Sequence, residues 1–406
     1  MKPVRRLDLP KPMRDGPTTQ LFAALAAGGV GARFVGGCVR NAVSGRAIDD
    51  IDIAVTTRPE ITMRALQAAK IKVIPTGLKH GTVTAIVEGR TFELTTLRRD
   101  VETDGRHAVV AFTDDWQEDA SRRDFTFNAL YADPDGTLYD PFGGEVDLAR
   151  HKVRFIGDPD QRIVEDRLRV LRFFRFQAWY GAPPLDGQGF EACARHAGAL
   201  GNLSGERVAK EVLRLLAAPG SAAGPADAVE AMSDAGALDH WLPEYEGTTR
   251  LRALMEREPT PDGLRRLAAI LPEDADATAI GKRLKLSTQQ AVRLTEMLVR
   301  DHKIDLAGGA RAWRAGIYRL GQKVFTDLVL LSVDAKGDWR AALAFAERWT
   351  QPDLPVSGAD ILKLGLAPGP KIGALITAVE EWWIAGDFTA DREACLAELG
   401  KRAQAT

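Results

Sequence analysis

Two aspartates two residues apart, in Asp50-Ile51-Asp52-Ile53, carry the most pointed chemistry in this sequence. Alternation along a strand puts both carboxylates on one face and turns Ile51 and Ile53 toward a core. Like charges so close repel unless a cation lies between them. Hard carboxylate oxygens suit Mg²⁺, which keeps coordination positions for substrate phosphate and water. Upstream, Val35-Gly36-Gly37-Cys38-Val39-Arg40 closes an apolar run with two glycines, a turn that lets backbone amides approach a phosphate, and Arg40 follows one helical turn on. Glu93, between Phe92 and Leu94 in an expected strand, is a third carboxylate, either a metal ligand or an outward-facing side chain.

Two further clusters speak to a nucleotide. In Arg122-Arg123-Asp124 the charges either cap a helix or act on a substrate, Arg123 neutralising a triphosphate and Asp124 accepting from a ribose hydroxyl. Downstream, Asp166, Arg169, Arg172 and Arg175 recur every three residues, which on a helix makes one slowly drifting stripe. An Asp accepts from an exocyclic amine and an Arg donates to a ring nitrogen or carbonyl. Cytosine and adenine both present an amine beside an acceptor, so such a pair could select C and A without a template.

The elements that must position these groups change character along the chain. From Arg33 to about Asp147, short β-branched runs separated by Gly and Asp predict a mixed α/β module, with an antiparallel hairpin turning at Glu88-Gly89-Arg90. After His151, apolar residues at three- and four-residue spacing predict amphipathic helices, with Ser204 capping one of them. From about Pro219 onward the Ala- and Leu-rich sequence, broken by Pro and Gly, reads as all-helical. The expected class is therefore α+β: a catalytic head at 1–150, a helical neck at 151–218 and a helical body and tail at 219–406.

Composition bounds the rest. With 406 residues, more than one module is expected, and 45% hydrophobic with 27% charged residues is ordinary globular composition. A net charge of −2 gives no overall attraction to nucleic acid or anionic membrane, so a polyanion must be held locally. Between Gly281 and Lys323 ten Lys or Arg face three acids, and Lys282, Arg283 and Lys285 there, with Lys371 farther on, are the expected RNA contacts. Three widely spaced cysteines form neither a disulfide framework nor a metal knuckle, so a reducing cytoplasm is expected. No apolar run matches a membrane span, and the basic start is not followed by a signal-peptide core.

Taken together these motifs resemble the class II tRNA nucleotidyltransferase and bacterial poly(A) polymerase family, within the polymerase-β-like nucleotidyltransferase superfamily. The likeness runs in order through GGCVRN, DIDIAV, GLKHGTVTAIVEGRTFELTTLRRD, DGRHAVVAF, EDASRRDFTFNALYAD, DPFGGEVDL, IVEDRLRVLRFFRF and LSGERVAKEVLRLL, and extends to the tail segment GLAPGPKIGALI. It implies that Asp50 and Asp52 bind two Mg²⁺, that Glu93 matches the superfamily's third carboxylate, and that Gly37, Arg40 and Arg123 contact phosphates. It also implies that Asp166 and Arg169 read the base, that Arg172 and Arg175 complete the nucleotide site, and that Asp124 lies near the ribose. DPFGGEVDL resembles a flexible segment, and Glu206 and Arg207 resemble neck-stabilising residues. Asn41 and Arg167 depart from the family's usual Asp and Pro.

The implied activity is addition of CCA to the 3′ end of tRNA from CTP and ATP. A poly(A) polymerase, or an enzyme adding only CC or only A, is the alternative within the family. Outside it stand an idle RNA-binding scaffold and a small-molecule nucleotidyltransferase. Asp239-His240 and Asp301-His302 reverse the order of a metal phosphohydrolase motif, so no phosphatase activity is expected.

Overall fold

The computed structural model describes residues 1–103, 108–220, 224–299, 304–332, 336–363 and 369–404. These form two compact units, one of residues 1–243 with 283–285, the other of residues 244–282 and 286–406. The segments expected as head and neck both lie in the first.

The first unit is built on strands β1 (Pro3–Arg6), β2 (Ala32–Val35), β3 (Asp52–Val55), β4 (Lys72–Gly77), β5 (Thr82–Val87), β6 (Arg90–Thr96), β7 (Arg98–Thr103), β8 (Ala108–Phe112), β9 (Tyr131–Ala132) and β10 (Thr137–Tyr139). Eight of them make one sheet in the order β1-β10-β9-β2-β3-β6-β5-β4, while β7 and β8 pair separately. The expected hairpin is present: β5 and β6 are antiparallel, and Glu88 (φ 49°) and Gly89 (φ 80°) form a two-residue turn with both φ positive, as the twist of a tight hairpin requires. β3 and β6 are parallel neighbours in a register that sets Asp52 beside Glu93.

One expectation about the helices is corrected. The stretch from Ile163 to Tyr180 is two helices, Pro159–Glu165 and Leu168–Tyr180, interrupted at Asp166 (φ −150°, ψ 104°). Asp166 stops the first helix because its carboxylate accepts the Leu168 amide at 3.1 Å, a local bond that competes with helix continuation. The Asp–Arg stripe therefore begins at Arg169. Ser204 does stand at the start of helix Gly205–Leu216, but its hydroxyl makes no capping bond.

Aromatic rings join the long helix to the sheet module. Phe125 lies 4.7 Å from Phe155 and 5.3 Å from Phe176, and Phe155 stacks on Phe173 at 5.7 Å, centroid to centroid. The second unit is helical throughout its described residues, with one long segment, Gly309–Leu331, bent at Gly321 (φ 75°). No described helix is long and apolar enough to cross a membrane. The three cysteines are buried and unpaired.

The DPFGGEVDL segment folds as a capped turn and a short helix, Gly144–Ala149. Asp140 accepts the amides of Gly144 and Glu145 at 2.8 and 2.9 Å. A Cβ on Gly144 would lie 2.4 Å from the carbonyl oxygen of Thr126, and backbone cannot yield as a side-chain end can. Gly144→Ala is expected to cost about 1–3 kcal/mol through overpacking, read from the shift of the denaturant midpoint; an unchanged midpoint would refute the contact.

Candidate active site

β3 delivers the two aspartates as alternation requires: Ile51 and Ile53 are buried at 3% and 1% exposure, while Asp50 and Asp52 face outward. Asp50 immediately precedes the strand and Asp52 is its first residue. Opposite, Gly36 ends β2 at φ 66°, a conformation that favours glycine, and helix Gly37–Val43 starts at once, carrying Arg40 inward. Gly37, Arg40, Asn41, Asp49, Asp50, Asp52, Arg175, Trp179, Tyr180 and Arg214 line one cavity of about 350 Å³. Five residues singled out from sequence thus meet in one place.

The aspartates are short of positive charge. Burial, the neighbouring Glu93 and Asp50 push the Asp52 carboxyl above its ordinary pKa, against the pull of Arg123 and Arg40. Glu93 is exposed on its strand, so it is an outward-facing acid that stands beside Asp52. Among the described residues no three His, Cys, Asp or Glu side chains gather closely enough to hold a metal by themselves. A crowded carboxylate pair open to a cavity fits a cation of the Mg²⁺ type, whose remaining positions go to water and substrate phosphate.

Around this floor stands a cationic ledge. The guanidiniums of Arg40, Arg172 and Arg175 lie 5.2, 5.4 and 4.0 Å from the ring centre of Phe176. Arg40 donates to the Asn128 side-chain oxygen at 2.6 Å, and the Asn128 amide donates to Asp124 at 2.8 Å. Asp124 also accepts from Arg172 Nε at 2.7 Å. Glu211, 4% exposed, pairs with Arg175 at 2.6 Å and stands 4.0 Å from Arg172. Burial lowers the Arg175 pKa to about 10, Glu211 opposing that and Arg172 and Arg40 adding to it. Three cations against two buried acids leave a positive excess.

The remaining predicted residues are held separately. Arg123 is fixed by Asp119 (3.0 Å) and the Tyr131 hydroxyl (3.1 Å). Its guanidinium would lie 3.4 Å from a Cβ on Gly36, so it backs the glycine turn and can act on a phosphate there only from behind, since it does not line the cavity. Arg169 donates to Glu165 at 2.6 Å and to the carbonyls of Arg162 and Arg122 at 2.9 and 3.0 Å. Asp166 pairs with Arg207 at 2.9 Å. Sequence reasoning missed Asp119, Asn128 and Glu211 as holders, and Trp179, Tyr180 and Arg214 as cavity walls. Asn41 accepts the Tyr180 hydroxyl at 2.8 Å and donates through Nδ2 to the Ala47 carbonyl at 2.8 Å, a bond that an aspartate could not make.

Comparison with known proteins decides the family. Residues 32–154 match the model of the poly A polymerase head domain, and residues 185–247 that of a probable RNA- and SrmB-binding site of polymerase A. The chain is 35% identical to the mitochondrial CCA tRNA nucleotidyltransferase 1 of Danio rerio, over 91% of this chain and 87% of the relative. It is 32% identical to the CCA-adding enzyme of Lacticaseibacillus paracasei over 94% of each. The chain belongs to the CCA tRNA nucleotidyltransferase family. The crystal structure of the Bacillus stearothermophilus CCA-adding enzyme in complex with CTP superposes with a TM-score of 0.75 at 25% identity, covering 96% of this chain and 98% of that one.

For this nucleotidyltransferase, Lys285, Arg293, Arg314 and Arg319, of the ten basic residues between Gly281 and Lys323, pair with carboxylates. Arg293 pairs with Asp327 and Asp262 at 2.7 and 2.8 Å, Arg314 with Asp387 at 2.6 Å and Arg319 with Glu381 at 2.5 Å. Lys285 pairs with Glu206 at 3.3 Å. The acids that pair with them come from outside the counted window. Lys282, Lys323 and Lys371 are exposed. Arg300, Lys303 and the 365–368 part of the tail motif lie outside the described residues, as do 104–107 of DGRHAVVAF and the pair Asp301-His302.

The ledge carries a pH signature. Burial would raise the Asp124 pKa, but Arg172 and the Asn128 amide outweigh it and bring it down to about 2. A depressed carboxyl stabilises the fold fully above its unfolded pKa near 4 and loses that contribution as pH falls toward 2, in all about 2 kcal/mol. Unfolding measured between pH 2 and 6 should therefore show a shallower acid limb in Asp124→Asn than in the wild type; parallel curves would remove Asp124 from the acid-sensitive set.

Proposed function

We propose that this chain adds CCA to the 3′ end of tRNA, without a template, from CTP and ATP. The observation that carries the reading is the single cavity in which the carboxylates of Asp50 and Asp52 face Gly37, Arg40 and Arg175. Paired acids for metal and guanidiniums for phosphate in one cavity suit transfer of a nucleotidyl group and little else. The relatives' names, at 32 and 35% identity over most of each chain, supply the substrate.

In this reading the RNA 3′-hydroxyl oxygen bonds to the α-phosphorus, the bond from that phosphorus to the bridging oxygen breaks, pyrophosphate leaves and the hydroxyl proton passes to solvent. Two Mg²⁺, when bound, stabilise charge on the attacking and leaving oxygens. Asp50 and Asp52 hold them, and Glu93 lies within reach as an accessory acid. Arg40 meets the phosphates at the Gly37 turn, Arg123 adds its charge from behind that turn, and Arg172 and Arg175 screen the charge that builds up on transfer. Asp124 keeps the ledge in register and lies nearest the ribose. Asp166 and Arg169 present acceptor and donor to the base edge. Lys282, Arg283, Lys285 and Lys371 meet tRNA phosphates.

The deciding assay incubates the protein with Mg²⁺ and tRNA transcripts that end before CCA, with CTP, ATP or both. Two C additions, then one A, then arrest are expected; long A tails would make it a poly(A) polymerase, and no extension would return the idle-scaffold reading. Asp50→Asn and Asp52→Asn should abolish turnover with tRNA affinity retained, and turnover surviving either change would remove that residue from the metal site. Arg169→Ala should reduce preference for C and A over G and U by about tenfold or more, since a base-edge pair is worth about 1–3 kcal/mol. Unchanged selection among four nucleotides would sink the templating assignment.

A further inference from the structure

The cavity that holds Asp50 and Asp52 does not extend toward the residues proposed to read the incoming base. Asp166, Arg169 and Arg123 do not line it, whereas Trp179, Tyr180 and Arg214 form part of its wall. Arg169 and Trp179 lie ten residues apart on the continuous helix Leu168–Tyr180, about 15 Å at 1.5 Å per residue. A nucleotide whose base edge meets Arg169 and whose phosphates meet Arg40, 4.5 Å from the Tyr180 ring centre, gives no role to Trp179 or Arg214.

The wall is built for a stacked, negatively charged partner. Trp179 is half-buried, and its indole is pinned by donation from Nε1 to the Arg214 carbonyl at 2.7 Å. Arg46 donates to the Trp179 carbonyl at 2.5 Å and lies 4.7 Å from the Tyr180 ring centre. The Arg214 side chain is exposed and has no partner among the described residues. Aromatic faces with flanking guanidiniums are how proteins hold single-stranded nucleic acid irrespective of sequence. In-line displacement also requires the attacking hydroxyl on the side of the α-phosphate opposite the leaving pyrophosphate.

Resting on the nucleotidyl-transfer reading, we propose that Trp179 and Arg214 seat the 3′-terminal nucleotide of the RNA, its base stacked on the indole and its phosphate against Arg214. Sequence-tolerant stacking suits a position occupied in turn by the discriminator base, by the first C and by the second C. The growing end would slip by one nucleotide per cycle while the incoming-base site stays put.

The test separates the two substrates. In steady-state extension of transcripts lacking CCA, Trp179→Ala and Arg214→Ala should each raise the KM for RNA by about tenfold, whereas equilibrium dialysis should give an unchanged affinity for labelled CTP. Trp179→Phe should restore most of the RNA term. Because Trp179→Ala loses a hydrogen bond, its melting curve is recorded, and Arg214→Ala, exposed and unpaired, carries the test if the first variant is unfolded. A fall in CTP affinity in Arg214→Ala, with or without an RNA effect, would assign the wall to the incoming nucleotide. No change in either constant would make it a wall of the fold only. A wild type that extends no transcript would overturn the function itself; a wild type that extends with indifferent variants would overturn only this seat.

Discussion

The site depends on how three guanidiniums are kept around one phenylalanine. Arg40 comes from the helix after the glycine turn, and Arg172 and Arg175 from the Leu168–Tyr180 helix, and all three lie within 5.4 Å of the Phe176 ring centre. Half-buried cations are expensive unless paired: Asp124 from the sheet module pairs Arg172 and Glu211 from helix Gly205–Leu216 pairs Arg175, while Arg40 is held by Asn128. Each acid belongs to a different element. Rotating any one helix would orphan a buried charge, so the charge pattern fixes the helix face toward the cavity more tightly than apolar packing, which tolerates sliding, could.

The carboxylate floor is fixed by a different device. Parallel pairing of β3 with β6 sets Asp52 level with Glu93, and buried Ile53 and Leu94 beside them anchor that register in the core. Slipping by one residue would turn the acids into the core. The backing arginines are held from behind by Asp119, 1% exposed, which accepts from Arg122, Arg123 and the Tyr131 hydroxyl. The floor is thus left with acids lacking counter-charge, and the ledge with cations in excess. A metal–triphosphate complex carries the complement of both.

Much of this was legible in the sequence, for physical reasons that differ by residue. Asp50 and Asp52 announced themselves because period-two alternation with isoleucine has one geometric meaning, and the Glu88-Gly89 hairpin because few turns join such strands. The helix break at Asp166 was hidden by the three-residue spacing of the arginines that follow, although aspartate's preference for helix starts was a usable sign. Glu211 also left a sign: with Val208, Val212 and Leu215 it lies on the apolar face of its helix, where an acid must find a buried partner. Trp179 and Arg214 left none, since their contact spans 35 residues, whereas the three- and four-residue spacing of Asp119 to Arg122 and Arg123 was there to be read. The partners of the basic run from Gly281 were out of sight because Asp327, Glu381 and Asp387 lie beyond the counted window.

The two residues proposed to read the base are already occupied, and unequally. Arg169 is 12% exposed and committed to Glu165 and two backbone carbonyls, bonds that leave its guanidinium plane little freedom. Asp166 and Arg207 are 33% and 45% exposed, and an ion pair so open to water is worth at most about 1 kcal/mol. In the proposed reading an incoming base meets a rigid donor and an acceptor that is easily released from Arg207. A base that offers an amine to Asp166 and an acceptor to Arg169 exchanges a weak pair for two base-edge bonds. A base in the opposite order faces an immovable guanidinium donor to donor, and gains nothing by displacing Arg207. Discrimination on this account comes from Arg169 staying fixed, and adaptability between C and A from Asp166 being free to shift.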